Sequence, residues 1–382
     1  MKMTLENKIE VIRGVNYKPS IDLRTSSDAD SIALLRANNI KNGCIAFDDV
    51  QYVSKSKVKI EQLLRKGDIL VCASSGSKQL VGKAALITRD IRATFGAFCC
   101  VIRPISISPC FLSNYFSSSA YRVAIEEACS GSNINNLKPK NFYDLQIPNY
   151  SLDEQAEISE KLSKARSLIE RCQSLNIYLD ELVKSRFVEM FGDPVINSKG
   201  WKKEKLYNNA VLINGRAYKQ SELLNEGKYR VLRVGNFFSK SDWYYSDLEL
   251  NGEKYCENGD LLYAWSASFG PKIWRGEKVI YHYHIWKIDI MKDAYDKQFL
   301  CSLLKYAEPS FIGDVHGIGM FHLTKSGMEQ TEFIVPPLSL QQEFASFVAQ
   351  VDKLKFETQQ SIEKLQMLYD SLAQEYFAPE GE

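Results

Sequence analysis

Long apolar runs are absent from this 382-residue sequence. No stretch reaches the roughly 18 apolar residues that a membrane span needs. The opening MKMTLENKIEVIRG has no apolar core of a secretion signal. The expectation is a cytoplasmic chain without membrane contact. Paired cysteines are also missing: the nine cysteines form no C-x-x-C pair and their number is odd, which fits reduced, mostly buried thiols. Histidine is scarce, with four residues. His282-Tyr283-His284 would put two imidazoles on one strand face, but no Cys or His nearby completes a ligand set, so no metal is expected. Loops that carry catalysis are missing as well. No Asn-Pro-Pro-aromatic or Asp-Pro-Pro-Tyr loop flanks a flipped base, and no Gly-x-x-x-x-Gly-Lys-Ser/Thr loop cradles nucleotide phosphates. His316-Gly317-Ile318-Gly319 holds a lone Gly-x-Gly, too little for a dinucleotide fold. The chain therefore reads as non-catalytic, with no cofactor of its own.

What is present describes an ordinary folded protein: 45% hydrophobic and 25% charged residues. The length suits two or more domains. A net charge of +1 hides an uneven division. Residues 1–150 hold 20 Lys/Arg against 13 Asp/Glu, giving +7, and residues 196–337 hold 19 against 17, giving +2. Residues 151–195 hold 6 against 9, giving −3, and residues 338–382 hold 3 against 8, giving −5. The basic excess sits in two globular-looking segments and the acidic excess in two helical ones, a modest signal for nucleic acid.

The decisive feature is repetition. Gly14-Val15-Asn16-Tyr17-Lys18-Pro19-Ser20 recurs as Gly215-Arg216-Ala217-Tyr218-Lys219-Gln220-Ser221. Leu34–Ile40 returns as Val231–Phe237, and Lys66–Val71 as Asn258–Tyr263. A Gly-containing polar loop precedes both Leu137 and Leu323, LQIPNYSLDEQAEI resembles FIVPPLSLQQEFA, and KSRFVEMF resembles DSLAQEYF. Order is kept throughout, so the chain is a tandem duplication. Each repeat joins a β-rich α+β domain to a long helix: 1–150 and 196–337 are the domains, 151–195 and 338–382 the helices. Strands are expected at Gly43–Phe47, Asp68–Ala73, Lys83–Thr88, Phe98–Arg103, Asp260–Trp265, Lys272–Trp274 and Val279–Ile290, and helices at Phe111–Glu127 and Asp296–Tyr306. Gly67-Asp68 and Gly259-Asp260 read as turns feeding a buried strand.

After Pro148 and Pro336, apolar residues recur at three- and four-residue steps in the narrow stripe of a coiled-coil seam. Leu175, Leu179 and Leu182 mark it in the first helix, and Leu365, Leu368 and Leu372 in the second. Ser151 and Asp153 are candidate caps. The two helices are expected to pair antiparallel, because the chain crosses the second domain before returning. About 35 helical residues span about 52 Å, a rod that fixes the separation of the domains.

Two domains around a helix ending Glu189-Met190-Phe191-Gly192-Asp193-Pro194…Gly200-Trp201, with Pro336-Pro337-Leu338-Ser339-Leu340-Gln341-Gln342 opening the last helix, resemble the specificity subunits of type I restriction–modification systems. Gly200, Trp201 and Leu206 match the usual opening of a recognition domain in that family. The first domain lacks this opening, so its first strand is expected to be short, and its exit reads Ile147-Pro148-Asn149-Tyr150 in place of a double proline. The resemblance implies that each domain reads one half of a bipartite target in double-stranded DNA, while the helices set the unread spacer. It implies two modification subunits docked on the helices and restriction subunits beside them. S-adenosylmethionine, ATP and magnesium would then belong to those partners. The alternatives are a duplicated coiled-coil scaffold binding a ligand other than DNA, or a subunit with its own methylase or nuclease activity.

Base reading needs Arg, Lys, Asn, Gln or Ser at a groove, while phosphate contacts supply most affinity. Loops that repeat in position but differ in sequence are the natural candidates. The first pair holds Ser75, Ser77, Lys78 and Lys83, opposite Ser266, Ser268 and Lys272. The second holds Ser132 and Asn133, opposite His316; the third holds Arg36 and Asn38, opposite Arg233 and Asn236. Lys18 and Lys219 complete the candidate set.

Overall fold

The computed structural model describes residues 2–129, 136–239, 241–266, 268–291, 294–312 and 323–377. The chain forms two compact units: Met1–Gln173 with Gln359–Glu382, and Ser174–Thr358. Both long helices, Leu152–Phe191 and Leu338–Phe377, are therefore shared, each giving part of its length to each unit.

The two units are built on one plan. In the first, Ile9–Arg13, Cys99–Pro104, Ile69–Cys72 and Ala84–Leu86 form a four-stranded antiparallel sheet in that spatial order. In the second, Ala210–Asn214, Ile285–Ile290, Leu261–Ser266 and Ser268–Ile273 do the same. A smaller sheet follows in each. Ser31–Leu35 pairs antiparallel with Gln51–Ser54 and parallel with Ala93–Phe95. Tyr229–Leu232 pairs antiparallel with Tyr244–Ser246 and parallel with Val279–Tyr281. A two-stranded ribbon closes each domain: Lys2–Thr4 on Gln146–Pro148, and Lys203–Lys205 on Glu332–Ile334. The first strand of the first domain is thus as long as its counterpart, despite the missing Gly-Trp opening. Backbone pairing with Gln146–Pro148 supplies what that motif does not.

Several expected elements differ: the strand expected at Lys272–Trp274 is Ser268–Ile273, and the helix expected at Asp296–Tyr306 is Lys297–Ile312. Phe111–Glu127 divides into Pro109–Tyr115 and Ser119–Cys129, because Ser118 Oγ accepts from the Tyr121 amide at 3.3 Å and caps a new helix. Val279–Ile290 divides into Val279–Tyr281 and Ile285–Ile290, which join different sheets through a turn at 282–284. The three aromatic residues of that turn carry strand propensity, which hides the turn in the sequence. The Gly43–Phe47 run shrinks to the two-residue strand Cys44–Ile45.

The helices pair antiparallel in both units. In the first, Arg166 Nη2 donates to Tyr369 Oη at 2.6 Å and Tyr150 Oη to the Tyr376 carbonyl at 3.4 Å. In the second, Arg186 meets Glu343 at 2.9 Å and Lys355 meets Asp180 at 2.7 Å. In each unit one number rises as the other falls. The contact is apolar beneath these pairs: Ile158, Leu162, Ala165 and Ile169 share a core with Tyr369, Ala373 and Phe377. Phe187, Met190 and Phe191 share one with Phe344 and Val348. Leu179 is buried, whereas Leu175, Leu182 and Leu368 are 45%, 47% and 50% exposed. Leu365 and Leu372 pack partly buried on the first core. The packed stripe is wider than a pure coiled-coil seam, because each helix also covers its own domain and turns other positions inward.

Each helix end has a local cause. Ser151 Oγ accepts from the Glu154 amide at 3.3 Å, while Glu154 accepts from the Ser151 amide at 2.7 Å, a capping box that starts the first helix. Gly192, at φ +77°, ends it. Asp193 Oδ1 then accepts from the Val195 amide at 2.8 Å, and Trp201 Nε1 donates to the Phe191 carbonyl at 2.9 Å. The Gly-Asp-Pro…Gly-Trp pattern is thus a stop-and-turn device that delivers the chain to Lys203–Lys205.

In the first domain Arg103 donates to both carboxylate oxygens of Asp68, each at 2.8 Å, with side-chain exposures of 13% and 2%. The second domain has Asp289 where Arg103 stands, from the alignment of Cys99–Pro104 with Ile285–Ile290. Removing one member of a buried pair leaves the other uncompensated. Arg103→Ala should destabilise the first unit by about 3 kcal/mol and leave the second unchanged. Hydrogen exchange followed separately in the two units checks this; equal loss of protection in both would contradict it.

Candidate nucleic-acid interface

In each domain the two sheets meet at an edge where separate segments converge. In the first, the Ala73 and Ser74 amides donate to the Phe98 carbonyl at 2.9 and 3.0 Å as the chain leaves Ile69–Cys72. The Leu137 amide donates to the Ala73 carbonyl at 2.8 Å, so the chain following 130–135 lands beside the Ser74–Lys78 loop. The Gly96 amide donates to the Leu35 carbonyl at 3.0 Å, which brings Arg36 to the same edge. The second domain repeats these bonds. Trp265 donates to the His284 carbonyl at 3.0 Å, Leu323 to Trp265 at 3.4 Å, and His282 to Leu232 at 2.9 Å. The three pairs of candidate segments thus have their flanks together in space, but the one holding Ser266, Ser268 and Lys272 is not a loop: these residues lie in the paired strands Leu261–Ser266 and Ser268–Ile273.

The candidate residues fare differently one by one. Lys18, Ser77, Lys78, Lys219 and Ser268 are exposed, and Ser75 and Lys83 half-buried. The Lys18 and Lys219 amides are held by the Asp22 and Glu222 carboxylates at 2.7 and 2.8 Å. Several others are already engaged inside their domain. Arg36 Nη2 and Asn38 Nδ2 both donate to Asp49, at 3.1 and 2.7 Å. Asn236 Nδ2 donates to the Ser241 and Asp242 carbonyls at 2.8 and 3.1 Å. Lys272 Nζ donates to the Phe237 carbonyl at 3.0 Å. Arg233 is exposed and lies over the Tyr244 ring at 4.9 Å. Ser266 is buried. Ser132, Asn133 and His316 lie outside the described residues.

Residues that the sequence reading passed over stand at the same edge. The turn at 96–98 corresponds bond for bond to 282–284: Val15 donates to Phe95 as Arg216 does to Tyr281, and Cys99 to Gly96 as Ile285 does to His282. Gly14 and Gly215 are required beneath the two turns, since an added Cβ would lie 2.1 Å from the Gly96 carbonyl oxygen and 2.4 Å from that of His282. Tyr17 and Tyr218 flank the turns; Tyr218 stacks on His282 at 6.3 Å, with the Arg216 guanidinium 5.2 Å from its ring. Two buried polar atoms here have no partner among the described residues: Arg36 Nε in the first domain and Tyr218 Oη in the second. The signal was in the sequence, because Tyr17 and Tyr218 hold the same place in the first repeated motif. Tyrosine is common in cores, so position alone did not single them out.

Burial, reinforced by His284 and Arg233, lowers the pKa of His282 to about 4. The imidazole is therefore neutral near pH 7, able to donate and accept but not to pair with a phosphate as a cation.

The family model for the type I restriction modification DNA specificity domain matches residues 198–367. The StySPI specificity subunit of Salmonella potsdam is 34% identical over 243 residues, 59% of this chain and 51% of that one. The EcoKI specificity subunit of Escherichia coli strain K12 is 33% identical over 275 residues, 66% and 58%. Over these stretches the chain is similar to specificity subunits of type I restriction–modification systems. It spans somewhat over half the length of these curated relatives. Among solved structures, the type I S subunit of M. genitalium matches with a TM-score of 0.57 at 15% identity, covering 100% of this chain and 96% of its own. A chain from a structure addressing assembly of the type I R-M system matches with a TM-score of 0.52 at 17% identity, covering 97% of both. At these identities the likeness concerns the fold, and it fits the duplicated architecture. Among the described residues no helix is long and apolar enough to cross a membrane.

His282 also makes a stability prediction. Its folded-state pKa, about 4, lies below the ordinary 6.5. As pH falls from 6.5 toward 4, the unfolded chain takes up a proton that the folded domain refuses, so stability drops across that window. Thermal melts at pH 7 and 4.5 should show a larger loss for the wild type than for His282→Gln. Equal losses would mean that the imidazole is not held neutral.

Proposed function

We propose that this chain is the non-catalytic DNA-reading subunit of a type I restriction–modification complex, with each recognition domain contacting one half of a bipartite duplex target. The observation that carries the reading is the pair of domains with one topology and one convergent edge, furnished with different side chains. Such a design reads two different half-sites from one scaffold. Exposed Lys18, Lys78 and Lys219 suit phosphate contacts, and Ser75, Ser77 and Ser268 suit close approach of the backbone to the duplex. The shared long helices set the unread spacer and receive two modification subunits, with restriction subunits joining them. In the proposed complex, S-adenosylmethionine, ATP and magnesium belong to those partners.

Exchanging residues 196–337 for the matching domain of another such subunit tests the reading. Methylome sequencing should return a motif changed in one half only; a change in both halves would mean joint reading and would refute modular recognition. The helix surface makes a second test possible. Leu175 and Leu182 are 45% and 47% exposed, whereas Leu179 is 7% exposed. Leu175→Asp with Leu182→Asp should cut binding of the modification subunit at least 10-fold while the melting temperature stays unchanged. Unaltered binding by calorimetry would move the docking surface elsewhere.

A further inference from the structure

The turns at 96–98 and 282–284 meet the criterion for a reading segment more fully than any loop found from the sequence. Their backbones share the same turn pattern and matching hydrogen bonds, yet one reads Gly96-Ala97-Phe98 and the other His282-Tyr283-His284. Scaffold is kept and side chains are exchanged. Both turns also put an aromatic ring into solvent: Phe98 is 63% exposed and Tyr283 is 36% exposed. The Phe98 ring leaves most of its apolar surface uncovered by the described residues, surface that a partner would cover.

We propose that Phe98 and Tyr283 are base-contacting residues, one for each half of the DNA target. The inference rests on the DNA-reading role proposed above and assigns it to particular side chains. Phe98 has no hydrogen-bonding group, so its contact is apolar: against a thymine methyl in the groove or against an opened base step. Tyr283 adds a hydroxyl that donates or accepts. Its ring stands 5.9 Å from Trp265 and 3.9 Å from His284, which holds it in a defined direction. Rigid aromatic residues give contact area at a low entropy cost.

The surroundings favour reading over plain attraction. The imidazole of His282 stacks near Tyr218, and in its neutral form it can donate and accept a hydrogen bond. Arg36 and Arg216 are neutralised by Asp49 and Glu222, so positive charge at this edge is carried by Lys78 in the first domain and Arg233 in the second. A cation beside each turn and aromatic rings at its tip suit a phosphate contact with apolar surface turned toward bases.

The test uses the modification complex assembled from this chain and its own modification subunits. Methylome sequencing first fixes the wild-type motif. Methylation rates are then measured on duplexes carrying single-base substitutions across that motif. Phe98→Ala should lose roughly 10- to 100-fold of discrimination at one or two positions of one half-site only. Tyr283→Ala should do so in the other half, and Tyr283→Phe should lose less. Val123→Ala, at a residue 54% exposed on Ser119–Cys129, should leave the profile unchanged. A uniform loss on all duplexes, an unchanged profile, or changes in both halves from one substitution would overturn the proposal. A Phe98→Ala chain that fails to fold would count against it too, since the ring would then be structural. A wild-type complex that marks no bipartite motif would instead overturn the underlying DNA-reading role, and this assignment with it.

Discussion

A buried glutamine at the start of each long helix ties that helix to the β-rich domain beside it. Gln155 accepts from the Ser108 amide at 2.8 Å and donates to the Tyr150 carbonyl at 2.9 Å. Gln341 accepts from Asp296 at 2.9 Å and donates to the Pro336 and Ala294 carbonyls at 2.8 and 3.1 Å. Both amides are almost fully buried, where an unmet hydrogen bond costs about 1–3 kcal/mol. The bonds join three parts: the strand exit, the helix start and the helix of the domain. Each domain therefore has one orientation on its own helix. Phe111 and Tyr115 against Phe377, and Phe299 against Phe187 and Phe191, add the apolar burial that makes the arrangement stable. Each fully buried ring is worth about 1.5–3 kcal/mol.

Charge follows the same division. The basic excess lies in the domains and the acidic excess in the helices, which favours a polyanion at the domains over the helices. Within the domains much of the charge has structural duties: Arg103 serves Asp68, Arg36 serves Asp49, and Arg216 serves Glu222 at 2.7 Å. Counting basic residues therefore overstates what remains for a ligand. Exposed side chains such as Lys18, Lys78 and Lys219, and the rings of the turns, are better placed to meet one.

Duplication, the two long helices and their caps were legible in the sequence, because each rests on short-range chemistry. Helical periodicity, Ser151 before Glu154 and Gly192 after the last apolar residue all act within a few positions of one another. Antiparallel pairing followed from chain order. The tertiary structure decided what depends on partners distant in sequence. Leu175 and Leu179 look alike in a periodic stripe, yet one is largely exposed and the other buried, since the domain covering each helix sets the packed face. Asn38 is sequestered by Asp49, which turns back at φ +57°, and nothing in the local pattern reveals that return. Sequence assigned His282, Tyr283 and His284 to a strand because such rings favour extended chain. Only the split of 279–290 between two sheets makes them a turn, and only the matching bonds at 96–98 give that turn a counterpart. Local backbone chemistry wrote the scaffold into the sequence, while the sites where it meets a partner arise from contacts between segments far apart along the chain.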